Sequence, residues 1–341
     1  MSLQFQENIS LKPYNSFGFD VSARYFALLD SIEQLADLRE FMQHQAIPVL
    51  LIGGGSNLVL TADLDLLVVV NRIRGLHISD NPDGTVSVTA GGGEDWHQFV
   101  RWTLEQGAYG LENLSLIPGT VGAAPIQNIG AYGVEIKDRM LSLEAFDLET
   151  GEQVVFTSAD CQFDYRDSIF KSRFPGRYLI IAVTFTLSRE FTPVLHYGGI
   201  SGQLADRGIT SPEPLQFSDL ICEVRNSKLP QPEQLGNAGS FFKNPVIPED
   251  QAQQLKQVFP GMVVFADKPG YSKLAAGWLI DQLGWKGRTQ GDAGVYEKQA
   301  LVLVNHGNAT GTDIVELAGA IQADVYKQYG VMLEIEPRCY P

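Results

Sequence analysis

The stretch Ile47-Pro48-Val49-Leu50-Leu51-Ile52-Gly53-Gly54-Gly55-Ser56-Asn57 decides how the rest of the chain is read. A short apolar run closed by glycines is strand-like. Three glycines after a buried strand let main-chain N–H groups approach a phosphate with no side chain in the way. The same triplet also suits a tight turn between two strands, and the letters alone leave both uses open. The residues after the triplet exclude a third use. A dinucleotide-binding Rossmann unit needs G-x-G-x-x-G opening a helix, with an acidic residue about 20 positions further on. Here the chain passes Asp63 and Asp65 into another strand, Leu66–Val70. No G-x-x-x-x-G-K-[ST] P-loop occurs either.

Upstream, Ser31–Gln45 reads as a helix, with Ser31 as its cap and Leu35, Leu38, Phe41 and Met42 at helical spacing. Downstream, Thr85–Ala90 alternates like a strand and runs into a second triplet, Gly91-Gly92-Gly93. A helix comes next over Trp96–Gln106, but Glu94 and Asp95 occupy its first turn. Those acids suit the helix dipole and repel a pyrophosphate, so this triplet reads as structural. Asn113–Gly133 is loop-rich, and its small residues around Tyr132 suit a planar ring system. Strands are expected at Leu141–Leu148, Gln153–Thr157 and Tyr178–Leu187. A connector rich in proline and glycine, Thr192–Leu215, precedes a new unit that begins at Phe217–Ser227. That unit continues through Ser240–Pro245 and a helix over Ser272–Gly284. It ends with the strand Ala300–Asn305, the helix Thr312–Tyr329 and a last strand, Val331–Glu336. The pattern is α+β in two organisational parts.

Composition narrows the function. The 341 residues carry 25 Lys and Arg against 40 Asp and Glu, a net charge of −15. So acidic a chain is no general binder of nucleic acid, whose footprint is basic. Cys161, Cys222 and Cys339 form no disulfide framework and fit a reducing compartment. The five histidines show no HExxH spacing and no CxxC exists, so no metal site is expected. Met1–Phe19 has no apolar h-region, and the longest apolar runs are strand-length. A cytoplasmic protein is expected. Asn-x-Ser/Thr triplets at Asn8, Asn113 and Asn308 are read as chance.

Several segments together, in this order along nearly the whole chain, resemble one family. They are Asn15-Ser16-Phe17, Gly53-Gly54-Gly55-Ser56-Asn57, Ile117–Gly133, Tyr165-Arg166-Asp167-Ser168-Ile169-Phe170-Lys171 and Gly236-Asn237-Ala238-Gly239-Ser240-Phe241-Phe242-Lys243-Asn244-Pro245. Ala276–Gly287 and Leu333-Glu334-Ile335-Glu336 complete the set. The chain is similar to the UDP-N-acetylenolpyruvoylglucosamine reductase (UDP-N-acetylmuramate dehydrogenase) flavoenzymes of peptidoglycan precursor synthesis, in their loop-bearing type I form. The resemblance implies a two-lobed, non-Rossmann FAD-binding domain of the p-cresol methylhydroxylase/vanillyl-alcohol oxidase type, with a C-terminal α+β substrate-binding domain. It implies a first lobe at 1–70, a second lobe at 71–217 with the long 192–215 loop, and a substrate domain at 218–341 whose last strand carries Glu336. Non-covalent FAD is the implied cofactor, NADPH the electron donor, and a vinyl ether on UDP-N-acetylglucosamine the acceptor. Small molecules are the only expected partners, with neither nucleic acid nor membrane, and the chain is expected to act as a monomer.

Reducing an enolpyruvyl double bond requires hydride at the methylene carbon and a proton at the carbon beside the carboxylate. Arg166 is the candidate to face the developing charge, because a guanidinium binds a carboxylate bidentately and keeps its charge. The plain alternative is an ion pair with Asp167. Over Tyr165–Arg177, Arg166, Lys171, Arg173 and Arg177 against Asp167 give 4 − 1 = +3, a basic island in an acidic protein. The resemblance makes Ser240 the proton donor, where it otherwise reads as a loop serine, and Glu336 the third catalytic residue. Glu334, two residues earlier, shares its strand face, and the family register alone chooses between them. The implied FAD contacts are Gly53, Gly54, Gly55, Ser56, Asn57, Pro118, Gly119, Thr120, Gly122, Ala123, Asn128, Gly130, Ala131 and Tyr132. The implied substrate contacts are Tyr165, Tyr197, Lys228, Lys243, Asn244 and Gln299. Two departures stand out. Pro337 removes a backbone donor from the final strand, and His196-Tyr197-Gly198-Gly199 is unusually rich in glycine. An FAD oxidase of the same wider fold and an FAD-carrying electron-transfer subunit are the competing readings. No histidine in the first glycine loop speaks against a tethered-flavin oxidase, and the unit after 217 against the subunit.

Overall fold

Alternation in Thr85-Val86-Ser87-Val88-Thr89-Ala90 becomes one central strand of the larger sheet. Val86, Val88 and Ala90 are fully buried while the residues between them are half-exposed. A computed structural model describes residues 2–197 and 199–341; Gly198 of the glycine-rich stretch His196–Gly199, like Met1, lies outside the described residues. Packing divides the chain into two units. The first takes the chain up to Ile9, Ala23–Gly54 and Asp65–Arg225, and the second Ser10–Ser22, Gly55–Leu64 and Asn226–Pro341.

Among the described residues the first unit holds a two-stranded sheet, Gly130–Ala131 with Val134–Glu135, and two larger ones. One has the strand order Phe5–Ser10, Ser22–Leu29, Leu64–Asn71, Val49–Ile52, and its last two strands are parallel with Val49 opposite Leu67 and Ile52 opposite Val70. The helix Leu35–Gln45 buries Leu35 and Leu38, and Ser31 and Gln34 form a capping box on the turn before it. The other sheet is antiparallel, in the order Gln153–Thr157, Met140–Asp147, Tyr178–Ser188, Thr85–Gly91, Leu76–Asp80. Against it lies the helix Trp96–Glu105, capped by the Asp95 carboxylate, which accepts from Gln98 N at 2.8 Å. Trp96, Phe99 and Phe185 meet with ring centroids 5.3 to 6.0 Å apart. Truncating Phe185 to Ala would cost about 3–5 kcal/mol.

The expected 192–215 connector is not all loop. It contains the helix Ile200–Asp206 and the first residues of Pro214–Lys228. Ile200 and Leu204, one helical turn apart, bury against Phe217, Leu220, Ile221 and Val224. The division between units falls between Arg225 and Asn226, inside that continuous helix.

In the second unit, a four-stranded antiparallel sheet runs Gly236–Ser240, Val302–Asn305, Ala293–Val295, Thr289–Gln290, with the long helix Gly311–Tyr329 against it. A three-stranded sheet joins Val246–Pro248, Tyr271–Leu274 and Val264–Ala266. Two expectations are corrected here. Ser272–Gly284 is not one helix: Tyr271–Leu274 is a strand paired on both sides, and the helix is Ala276–Gln282. Val331–Glu336 is not a regular strand. It makes one bridge, Phe242 with Ile335, and regular pairing resumes only beyond Pro337, where Arg338–Tyr340 lies parallel to Leu58–Leu60. A proline cannot donate to a ladder, so the chain changes partners there. The polar helix Glu249–Val258, which buries only Ala252, has no signature strong enough to be read in advance.

Candidate active site

In the first unit the strand Val49–Ile52 delivers Gly53 and Gly54 against the loop at 119–120. A Cβ on Gly53 would lie 2.2 Å from Thr120 Oγ1, and one on Gly54 would lie 2.9 Å from Gly119 Cα. Only glycines permit this approach. The loop is itself pinned: Trp96 N donates to Gly119 O at 3.1 Å and Val121 N to Glu94 O at 2.9 Å. Thr120 Oγ1 is buried and has no hydrogen-bond partner among the described residues. A buried hydroxyl left unpaired costs free energy, so its location beside the triplet points to an absent ligand. Together, the unpaired hydroxyl and the side-chain-free surface fit FAD.

Other expected FAD contacts have protein duties on view. Gly122 packs on the second triplet, where a Cβ would meet Gly92 Cα at 2.9 Å; Ala123 closes on Gly53. Asn128, fully buried in a left-handed conformation, donates to Glu135 Oε2 and Asp164 O and accepts from Lys137 N. Gly130 and Ala131 form a two-residue strand facing Val134–Glu135. Tyr132, also left-handed, packs with the cluster of Ile200, Leu204 and Phe217. In the second unit Gly55 has φ +63° and would place a Cβ 1.9 Å from Tyr14 O, while Asn57 O accepts from Arg338 N at 3.2 Å. Ser56 is half-buried beside them, and Pro118 precedes the Gly119 contact.

Arg166 sits at the tip of a tight hairpin, where Asp164 and Asp167 exchange main-chain hydrogen bonds at 3.1 and 3.2 Å. Its φ of +53° is rare for a long side chain and marks strain of the kind found at functional positions. Its guanidinium donates through Nη2 to Gly130 O at 2.8 Å and lies 5.6 Å from the Tyr165 ring centroid. Asp167, the plain alternative partner, accepts from Ser168 N at 2.8 Å. The structure therefore ties Arg166 and Tyr165 to the loop expected to hold FAD. Tyr197 also lies on this loop, with its Cβ 3.5 Å from the Cβ position of Gly133. The expected basic island is smaller than its letters. Arg177 is bound by Asp147, at 2.6 Å from Nη2 and 3.1 Å from Nε, and by Glu149 at 2.8 Å. Burial alone would raise the Asp147 carboxyl, but the Arg177 hydrogen bonds and the amides of Glu149 and Thr150 outweigh it and hold the group below its ordinary value.

In the second unit Ser240 is exposed just after a β-bulge. Asn237 pairs with Val304, but the next partner, Val302, faces Ser240, so Ala238 and Gly239 bulge out and Gly239 takes φ +68°. Buried Asn237 holds the bulge by accepting from Gly239 N at 2.9 Å and donating to Leu235 O at 2.8 Å. The Asn15-Ser16-Phe17 segment backs it: Ser16 Oγ donates to Asn237 O at 2.6 Å, and Asn237 N to Ser16 O at 3.1 Å. Glu336 is brought beside Ser240, since its N–H donates to Phe241 O at 2.9 Å. Glu334 turns elsewhere and pairs with Lys243. Asn244 Oδ1 accepts from Ala276 N at the start of a helix, Gln299 Oε1 accepts from Leu301 N at 3.3 Å, and Lys228 is exposed. Ser240, Glu336, Lys243 and Asn244 thus share one stretch of paired backbone.

Sequence reasoning passed over the residues that shape the loop from behind. Left-handed Leu116 donates its N–H to His97 Nδ1 at 3.0 Å and accepts from Arg225 Nε at 3.2 Å. Burial lowers both the His97 and the Arg225 pKa, so His97 is held neutral and suited to accept. Asn113 was visible only as a glycosylation-like triplet, yet it is 1% exposed and bonds two separate segments.

Comparisons with known proteins bear on the family and the fold. Residues 23–157 match a family model described as an FAD binding domain, and residues 231–340 match the UDP-N-acetylenolpyruvoylglucosamine reductase C-terminal domain. The chain is 52% identical over 340 residues to the UDP-N-acetylenolpyruvoylglucosamine reductase of Pseudomonas putida, covering all of both chains. It is 51% identical to that of Burkholderia mallei, over 97% of this chain and 96% of the other. A crystal structure of the Thermus caldophilus enzyme covers 99% of this chain and is wholly covered in turn, with a TM-score of 0.68 at 23% identity, which speaks to the fold. On full-length identity, matched domains and fold, this chain belongs to the UDP-N-acetylenolpyruvoylglucosamine reductase family and is an FAD-dependent oxidoreductase.

Proposed function

We propose that the chain reduces UDP-N-acetylglucosamine enolpyruvate to UDP-N-acetylmuramate with NADPH as electron donor, a cytoplasmic step of peptidoglycan synthesis. The observation that carries the reading is Ser240, exposed at the end of a bulge, with the Glu336 N–H donating to the carbonyl of the adjacent Phe241. When bound, FAD supplies hydride transfer, from NADPH to the methylene carbon of the enolpyruvyl group. Gly53, Gly54, Gly119 and Thr120 would hold it, Thr120 by its unpaired hydroxyl.

The protein handles the charge. As hydride reaches the methylene carbon, electron density moves toward the carbon beside the carboxylate. Arg166 binds that carboxylate, and its fixed positive charge stabilises the developing anion. Ser240 Oγ then gives its proton to that carbon. Glu336 is the third catalytic residue, kept beside Ser240 by its N–H donating to Phe241 O. Lys228, Lys243, Asn244 and Tyr197 take the nucleotide diphosphate, and Gln299 the uracil or sugar end. Pairing with Glu334 holds Lys243 in place.

Ser240→Ala tests the reading. Reduction of the protein by NADPH should continue at nearly the parent rate. The second half-reaction, with the enolpyruvyl nucleotide, should slow about 100- to 10,000-fold. Equal slowing of both halves would make Ser240 a structural residue.

A further inference from the structure

Asn113 is 1% exposed and lies in a buried turn at the head of the FAD loop. Both hydrogens of its side-chain amide have acceptors: Nδ2 donates to Tyr132 O at 3.1 Å and to Val194 O at 2.9 Å. Its Oδ1 is buried without a partner among the described residues. An orphaned carbonyl is unfavourable, and turning the amide over would set Oδ1 against two other oxygens. The position therefore keeps an unsatisfied acceptor in order to hold two main-chain carbonyls. One belongs to the FAD loop and the other to the segment that carries Tyr197.

Gly133 completes the arrangement. A Cβ there would lie 3.3 Å from Val194 Cγ1, 3.5 Å from Tyr197 Cβ and 3.6 Å from Tyr197 Cδ2. With φ at +83°, any side chain would also strain the backbone. Past Tyr197 the chain is tied by Ser201 Oγ, which donates to Leu195 O at 2.8 Å, and by Ile200 and Leu204 in the cluster that also holds the Tyr132 ring. The base of the Tyr197 segment is thus clamped to Tyr132 twice, by the Asn113 amide and by shared packing.

We propose that Asn113 is a positioning residue which, with Gly133, seats Tyr197 on the FAD loop and so sets part of the affinity for the nucleotide diphosphate substrate without touching it. The inference rests on the reading of Tyr197 as a diphosphate contact. The test is a double-mutant cycle on the FAD-loaded enzyme with Asn113→Leu, Tyr197→Ala and both together. Leu has similar volume and removes the orphaned oxygen along with the two donors. Asn113→Leu should raise KM for the enolpyruvyl nucleotide about tenfold, with kcat changed less than about threefold. In the Tyr197→Ala background the same change should alter KM less than about twofold. Equal factors in both backgrounds would make Asn113 a merely structural residue and overturn the proposal. If Tyr197→Ala alone leaves KM unchanged, the reading of Tyr197 fails. Amide hydrogen exchange at 194–197 then judges the seat by itself: faster exchange in Asn113→Leu supports it, and parent-like exchange overturns it. Gly133→Ala, which displaces Tyr197 from the other side, should give the same non-additive KM signature if Asn113→Leu does not fold.

Discussion

The two glycine triplets have the same letters but differ at their first residue: Gly54 and Gly55, like Gly91–Gly93, abut backbone, whereas Gly53 does not. In Gly91–Gly93 every N–H is engaged by the protein itself, donating to Gly75 O at 2.8 Å, Ile181 O at 2.6 Å and Ile73 O at 2.7 Å. Added Cβ atoms would strike backbone: Ile73 O at 2.6 Å, Ile180 O at 2.2 Å and Arg72 C at 2.4 Å. These glycines exist so that three main-chain segments can touch. Across from Gly53, by contrast, stands the end of a side chain, the Thr120 hydroxyl, and that hydroxyl has no partner among the described residues. A glycine loop is therefore classified by what satisfies the polar groups around it.

The comparison can be broken by substitution. The largest effect is expected from Gly92→Ala, since neither Ile180 O nor Asn71 Nδ2, 2.6 Å from the new Cβ, can move cheaply. It should cost about 3 kcal/mol of stability, read from thermal unfolding, and added FAD should not restore the loss. Parent-like melting would mean the second triplet is not a packing device. Gly53→Ala comes next. Its new methyl meets chiefly the Thr120 side chain, so the protein should fold but bind FAD about a hundredfold more weakly in a titration of the apoprotein. Full FAD affinity with reduced stability would erase the contrast between the triplets. Thr120→Val should be milder. Apoprotein stability should not fall, because no hydrogen bond is lost, whereas FAD affinity should drop about fivefold, or ~1 kcal/mol.

The smallest effect sharpens the same loop's foundation. Glu112 is 2% exposed and accepts from Gly110 N at 2.7 Å, and burial raises its pKa above the ordinary carboxylate value. A carboxyl whose folded pKa is raised binds its proton more tightly in the native state. Ionisation then costs stability above the folded pKa, and the cost fades as pH falls toward the unfolded value. Glu112→Gln should therefore raise the melting temperature more at pH 8 than at pH 5. A pH-independent difference would contradict that assignment.

Much of the fold is legible in the sequence because burial tracks periodicity where one element faces one core. Thr85–Ala90, the helix after Asp95 and the helix ending at Tyr329 are of this kind. Ser272–Leu274 reads as helix because Leu274, Trp278 and Leu279 keep helical spacing, while ladder bonds on both sides impose a strand. The C-terminal strand is displaced because Pro337 moves regular pairing onto Arg338–Tyr340. In the site, residue types are readable and partners are not. Glu334 and Glu336 are equivalent by alternation, and only the pairing across 241–243 sends one to Lys243 and the other beside Ser240. Asn113, His97 and Arg225 act on main-chain atoms distant in sequence, which no local pattern encodes. The net charge of −15 leaves room for local cations such as Arg166 and Lys243.

One measurement reaches the central claim most directly. Under anaerobic conditions NADPH should bleach the bound flavin, and either the enolpyruvyl nucleotide or oxygen is then admitted. The account predicts that the nucleotide restores the colour faster. Faster return with oxygen, or no bleaching by NADPH, would contradict it.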